Sequence, residues 1–289
     1  MRKVWIIGHV AEDLVLKLGT EIKIGNFHVP DKIIQRCGGS TANIAIGVAS
    51  GPIETGFITY LGKDDSANLV EPVLQTSNFN PLIIKRGDTP TPKCLVVVDN
   101  SGERTLILLT EIVKNHGGIT FKGSGIKAGD IVVFTHWYEE WRSEIEYARQ
   151  QGCIIVIGLG ALIANPEISA DVAIGSIADI PHELEFEKYL DRFPLIVVTR
   201  GLEGSTLYSN SGKVHQPAFP VKTVDTTGAG DSFLAGFLTG YALGIAPGKV
   251  LLEIGARWAS LMVTLDASIP PSFYDIEGIQ ELIKEALPK

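Results

Sequence analysis

Short, wholly apolar, β-branched runs recur along this sequence between stretches of helical periodicity, and this constrains its fold more than any other feature. Residues 4–7 (VWII) end at Gly8, and residues 55–61, 131–134, 154–157 and 195–199 repeat the pattern. Helices are expected over 42–49, 143–151, 231–243, 249–265 and 276–287. A strand without polar alternation must be covered on both faces, and strand alternating with helix through short loops builds a mainly parallel sheet with helices on both sides. The expected class is α/β. With 289 residues, 45% of them hydrophobic, the chain can fill such a core.

Two excursions interrupt the alternation. Residues 14–18 and 22–34 alternate apolar and polar side chains around Gly19 and Gly25-Asn26, and residues 93–109 read KCLVVVD, NSGE, RTLILL, a hairpin with a glycine in its turn. Both predict half-exposed antiparallel strands. There is no internal repeat, low-complexity run or Pro/Ser-rich linker, so the chain is not expected to divide into two consecutive domains.

Charge and cysteine usage exclude several classes. With 25 Lys and Arg against 33 Asp and Glu, the net charge is −8, which disfavours nucleic acid and anionic membranes as partners. Cys37, Cys94 and Cys153 form no CxxC pair and are odd in number, so a reducing, cytoplasmic setting is expected. The apolar N-terminal run is short and meets Glu12 and Asp13 at once, unlike a signal peptide. The longest nearly apolar stretch, residues 153–164, falls well short of the ~20 residues that span a bilayer.

The chemistry concentrates in VDTTGAGDSFLAGFL, residues 224–238. If residues 221–224 end a strand and Ser232 lies in a helix, GAGD occupies the turn between them. Gly228 and Gly230 let a ligand approach the backbone closely, and the N–H groups of Gly228, Ala229 and Gly230 then face outward at a helix N-terminus. That arrangement holds a phosphate without a lysine. Asp231 follows at once. A carboxylate there is ordinarily a helix cap; directly beyond an anion hole it suits phosphoryl transfer to a hydroxyl, the amides meeting the charge on the transferred group and the Asp taking the proton.

DTTGAGDSF resembles the C-terminal signature of the ribokinase-like, phosphofructokinase-B type sugar kinases, and the N-terminal signature is present as well. CGGSTANIAIGVA (residues 37–49) is similar to the GG-x-x-x-N block through Gly38, Gly39 and Asn43; GHVAEDLVLKL (8–18) resembles the first strand with its substrate-binding Asp, here Asp13; YLGKDDSA (60–67) resembles the G-x-D turn. The order runs over nearly the whole chain. The resemblance implies an ATP-dependent kinase acting on a hydroxyl, expected to be CH₂OH, of a small sugar or sugar-like acceptor. Asp231 would be the general base, Gly228, Ala229 and Gly230 the anion hole, and Asp13, Gly38, Gly39 and Asn43 the acceptor site. Thr199, Gly201 and Gly204 in VTRGLEGS would lie on the ATP side, and Asp225 and Thr227 would hold a monovalent cation such as K⁺, with Mg²⁺ bridging the phosphates. The implied organisation is a ribokinase-like core (1–12, 37–92 and 110–289) with a small β-sheet lid (13–36 and 93–109), a lid that in relatives often forms a dimer interface.

The sequence also departs from that pattern. Ser176-Ile177-Ala178-Asp179 stands where N-x-x-E is usual, leaving Asp179 as the Mg²⁺ candidate through water. Ser40-Thr41 replaces the Lys of some ribose-specific members, and TLDASIP (264–270) lacks the usual Gly before Ala267. Trp137, just past the strand at 131–134, is a candidate to stack on a sugar or nucleobase, against the ordinary reading of surface packing. Arg104 in the lid hairpin is a candidate to meet an acidic substrate, although an exposed strand arginine usually has no such role.

The alternatives are a nucleoside kinase of the same family, a silent sugar-binding regulator on the same fold, and a dinucleotide-binding oxidoreductase. The last is disfavoured because Gly8-His9-Val10 stands where G-x-G-x-x-G would be needed. No Walker A sequence, G-x-S-x-G elbow or zinc-like His spacing is present.

Overall fold

The computed structural model describes residues 1–102, 104–110 and 118–287. Thirteen strands and seven helices follow in the order β1 (Val4–Ile7), β2 (Ala11–Lys17), β3 (Lys32–Gly38), α1 (Ser40–Ala49), β4 (Thr55–Leu61), α2 (Asp65–Thr76), β5 (Phe79–Arg86), β6 (Lys93–Val98), β7 (Arg104–Leu108), β8 (Ile131–Phe134), α3 (Arg142–Gln150), β9 (Ile154–Gly158), α4 (Ala161–Ala164), β10 (Val172–Ser176), β11 (Leu195–Thr199), β12 (Ser205–Ser209), β13 (Gly212–Gln216), α5 (Ala229–Ala242), α6 (Lys249–Met262) and α7 (Ile279–Ala286). They form a nine-stranded sheet, β13-β12-β11-β10-β9-β8-β1-β4-β5, and a four-stranded sheet, β3-β2-β6-β7.

The large sheet is parallel except at β12 and β13, which add an antiparallel hairpin. Strand alternation splits the core in two. Val4 and Ile6 of β1, with Ile131 and Val133 of β8, pack under α1, α2, α5, α6 and α7; Trp5, Ile7, Val132 and Phe134 face the other way, toward α3 and α4. Each such fully buried side chain contributes about 1.5–3 kcal/mol. The chain leaves β1 for β4 on one side and β8 on the other, so a crevice opens beyond the carboxyl ends of β1 and β8, where open α/β sheets bind ligands.

In the small sheet β2 pairs antiparallel with β3 and β6 with β7, whereas β2 and β6 run parallel. Buried Glu12 and the capping residue Asp64 secure its stem. Glu12 accepts hydrogen bonds from Ser66 Oγ and Gln35 Nε2 and pairs with Lys93 at 2.9 Å. Asp64 caps α2 through the Ala67 N–H (2.8 Å) and accepts the Thr91 N–H (2.7 Å), so the G-x-D turn ties the returning lid segment to a helix start.

Three expectations change. Residues 22–31 form no strand: Gly25 takes a left-handed turn, Pro30 cannot donate to a ladder, and Ile24, Phe27 and Val29 are left exposed. Residues 221–224 are irregular, because Pro217 and Pro220 interrupt any ladder there, so Asp231 is reached from a loop. Six elements fall where none was expected: α2, which carries Pro72; β5, which carries Pro81; the short α4 and β10; and β12 and β13, which form a polar hairpin. Glu103, in the anticipated hairpin turn, residues 111–117 and residues 288–289 lie outside the described residues.

Candidate active site

The crevice is a cleft of about 1030 Å³ that runs from the small sheet, past the start of α5, to the loops beside β11 and α6. Its centre is the N-terminus of α5. Gly228 caps this helix with φ +74°, a left-handed conformation costly for other residues, and a Cβ there would stand 2.7 Å from the Ser268 carbonyl oxygen. The N–H groups of Gly228 and Gly230 make no hydrogen bond among the described residues, while that of Ala229 makes a long one (3.3 Å) to the Thr226 carbonyl. Two amides are therefore open and the third is shared, at the positive end of a 14-residue helix.

Asp231 stands one turn position further on, and two residues of α1 hold it. Ser40 Oγ donates to Oδ1 and Asn43 Nδ2 donates to Oδ2 at 2.8 Å. Burial raises the Asp231 pKa from its ordinary value; the Ser40 and Asn43 hydrogen bonds and the charges of His136 and Arg104 act against that rise. Asn43 thus spends its amide on Asp231, leaving Oδ1 buried without a partner and able to accept an acceptor hydroxyl. The GG-x-x-x-N block implies an acceptor contact for Asn43 but no contact between Asn43 or Ser40 and Asp231. A polar side chain three residues before Asn43 on the same helix start was the available signal.

Asp13 lies in β2 above Gly38, where a Cβ would be 2.1 Å from its Oδ2. Gly38 therefore makes room for the carboxylate, and Gly39 lines the cleft beside it. Burial pushes Asp13 up to about 6, with Arg36 opposing the rise and Asp231 adding to it. Two carboxylates thus face one pocket, and the charge of Asp231 biases Asp13 toward its protonated form.

On the opposite side, Thr199 ends β11, and Gly201 (φ +54°) and Gly204 (φ +93°) bracket a short turn; all three line the cleft. The wall beyond them is Phe219, Pro220 and Val221 against Ala256 and Ala259 of α6 and Val263 just past its end, with Thr223 and Ser260 as polar points. The slot is apolar on this side and ends at a helix start with open amides, so it offers one end to a flat apolar group and the other to an anion.

The fit to cations differs between the two candidate places. Asp225 is buried; its Oδ1 accepts the Thr227 N–H (2.8 Å) and Oγ1 (2.6 Å), while Oδ2 has no hydrogen-bond partner. A buried carboxylate oxygen without a donor, close to the open amides at the start of α5, fits a bound cation. Asp179 fits less well: it closes a capping box, its Oδ2 accepting the Ser176 N–H at 2.7 Å, so one oxygen remains for a metal-bound water. Among the described residues no three His, Cys, Asp or Glu side chains form a cluster that would hold a metal by themselves.

Trp137 does not line the cleft. It packs against the second core cluster, and its neighbours His136 and Tyr138 face the pocket instead. Past the end of β8 the chain bends, so the side chains adjoining the tryptophan reach the cleft. The apolar wall there continues through Pro92, Leu106 and Leu108.

The same architecture recurs in the ribokinase of Thermotoga maritima, with a TM-score of 0.79 over 97% of this chain and 100% of that one at 23% identity, so the fold is ribokinase-like. In sequence, the chain is 24% identical over 286 residues to a nucleoside kinase of Methanocaldococcus jannaschii, covering 91% of each. It is 26% identical over 253 residues to an ATP-dependent ribose-1-phosphate kinase of Halopiger xanaduensis, covering 82% of this chain and 84% of that one. Residues 1–132 and 183–272 match the pfkB family of carbohydrate kinases, and the chain belongs to that family. It is an ATP-dependent kinase of that class.

Proposed function

We propose that this protein transfers the γ-phosphoryl group of ATP to a CH₂OH hydroxyl of a small sugar or nucleoside held between the small sheet and the start of α5. The observation that carries this reading is Asp231: a carboxylate of raised pKa, oriented by Ser40 and Asn43, standing directly beyond the open amides of Gly228 and Gly230. A base with a raised pKa is better matched to an alcohol proton, and a positioned base is worth roughly 10²–10⁴-fold.

In this account Asp13, Gly39 and Asn43 Oδ1 orient the acceptor so that its hydroxyl points at Asp231. Asp231 takes the hydroxyl proton as the oxygen attacks the γ-phosphorus and the bond to the ADP oxygen breaks. The Gly228 and Gly230 N–H groups, with Ala229 between them, meet the charge on the transferred group; losing one such donor costs on the order of 10²–10³ in rate. Thr199, Gly201 and Gly204 flank the nucleotide. When bound, Mg²⁺ neutralises phosphate charge, and here the free oxygen of Asp179 would hold it through water; Asp225 and Thr227 would hold a K⁺-like ion.

A nucleoside acceptor is the reading favoured by the apolar wall of Pro92, Leu106, Leu108 and Tyr138, which suits a flat base better than a second ring of hydroxyls. The exposed Ile24, Phe27, Val29, Ile33 and Ile107 of the small sheet and its connection support a homodimer formed through the lid. Three free cysteines support a cytoplasmic setting, and among the described residues no helix is long and apolar enough to cross a membrane.

The test is ADP release from Mg·ATP across pentoses, hexoses, sugar acids, sugar phosphates and nucleosides, with Asp231→Asn in parallel. Acceptor-dependent turnover lost in the variant is the expected result.

A further inference from the structure

Just past β8, a short run of hydrogen-bonded side chains leads from the interior into the cleft. The hydroxyl oxygens of Thr41, in α1, and Thr135 stand 2.6 Å apart, and Thr135 Oγ1 lies 3.1 Å from His136 Nδ1. Each hydroxyl has one proton to give. Thr41 is buried and its Oγ1 has no other hydrogen-bond partner among the described residues, so its proton goes to Thr135. Thr135 then donates to Nδ1, which must accept. The reverse direction, from Nδ1–H through Thr135 to Thr41, strands the Thr41 proton once a ligand displaces water from the cleft, and an unpaired buried donor is the costlier arrangement. The run therefore places the proton of the neutral imidazole on Nε2. The imidazolium carries a proton there as well, so Nε2 is a donor in both forms.

That donor has nothing to meet within the protein. His136 is exposed and lines the cleft, and its Nε2 makes no hydrogen bond among the described residues. The carboxylates that line the cleft, Asp13, Asp179 and Asp231, form no hydrogen bond or ion pair with the ring. The ring lies within electrostatic reach of Asp231, and its centroid is 6.3 Å from that of Tyr138, on the apolar wall that suits a flat base. It thus stands where the polar edge of a base would follow a sugar whose hydroxyl points at Asp231.

We propose that His136 selects the acceptor by donating from Nε2 to an oxygen on the edge of its base, so that nucleosides with an oxo group there are taken in preference to their amino counterparts. Thr41 and Thr135 are positioning residues that fix the direction of this donor. The proposal rests on the nucleoside-acceptor reading above. An oxo group accepts the Nε2 proton, whereas an amino group in its place sets donor against donor and leaves both unpaired in a desolvated site.

The experiment measures kcat and KM for inosine against adenosine and for uridine against cytidine, pairs that exchange an oxo for an amino group, in wild type, His136→Phe, His136→Gln and Thr135→Val. A hydrogen bond made to one member and denied to the other corresponds to roughly 10- to 100-fold in kcat/KM. Wild type should favour the oxo member of at least one pair by that factor, chiefly through KM. His136→Phe should remove the preference by raising KM for the oxo member. His136→Gln, whose amide can turn either its N–H or its oxygen inward, should turn over both members without preference. Thr135→Val frees Nδ1 and should weaken the preference, whereas a merely structural role for Thr135 would lower both members alike. Nucleoside turnover by wild type with no oxo preference in either pair, or a preference that survives in His136→Phe, would overturn the proposal; the wild-type ratios decide the first of these whether or not a variant folds. Turnover of sugars with no turnover of any nucleoside is a different result: the nucleoside reading itself then fails and takes the proposal with it.

Discussion

Replacing Asn43 with alanine removes one of the two donors that favour the ionised form of Asp231 against the effect of burial, leaving Ser40 as the other. A hydrogen bond to a charged group contributes about 1.5–3 kcal/mol, and one pKa unit is 1.36 kcal/mol, so the Asp231 carboxyl should bind its proton more tightly by about one to two pH units. The sign follows from the role of the base. Only the ionised form accepts the hydroxyl proton, so rate is lost as pH falls through the Asp231 pKa, and raising that pKa moves the acidic limb toward higher pH. The assay is kcat against pH at saturating Mg·ATP and acceptor, for wild type, Asn43→Ala and Ser40→Ala. Asn43→Ala also removes an acceptor contact, which enters KM; the position of the kcat limb is free of that effect. Both variants should move the limb up, and the double variant further than either. A limb that stays in place in both single variants would refute the claim that these residues tune the base.

Three further outcomes are expected. Asp13 has a folded pKa of about 6 against an ordinary 3.8, so it disfavours the folded state as pH rises through that interval, by up to about 3 kcal/mol once ionised; urea melts should find Asp13→Asn more stable than wild type at pH 8 but not at pH 4, while its acceptor KM rises at least tenfold. Gly38→Ala places a methyl group 2.1 Å from the Asp13 carboxylate and should raise acceptor KM about tenfold or more with nucleotide Kd unchanged, as read by titration of a non-hydrolysable ATP analogue. Asp225→Asn removes the charge of a buried oxygen that has no other partner, so any stimulation by K⁺ over choline should disappear while CD spectra stay the same.

Much of this molecule can be read from its residues, and the reasons for the exceptions are physical. Runs such as VWII and IVVF are buried on both faces and have no alternative but the middle of the sheet, and β1, β4, β8 and β11 fall on the expected residues. Elements that carry a proline or a polar face were not legible: Pro72 inside α2, Pro81 in β5 and the STLYS strand of β12 are held by tertiary packing and pairing, which override local preference. At the candidate site, the GAGD turn and the GG-x-x-x-N block pointed to α5 and α1, but not that Asn43 would spend its amide on Asp231. That contact joins residues 188 positions apart and exists only once the two helix starts converge. Trp137 illustrates the limit at a strand end: periodicity marks the position, whereas the bend after β8 decides which aromatic faces the cleft.

The central claim is that Asp231 acts as general base beside the amides of Gly228 and Gly230, and the most direct measurement is acceptor-dependent ADP release by wild type and Asp231→Asn under identical conditions. Asparagine preserves shape and cannot take a proton, so the account predicts a loss in kcat of at least 10² with nucleotide Kd little changed. Retention of more than a tenth of the wild-type kcat would contradict it.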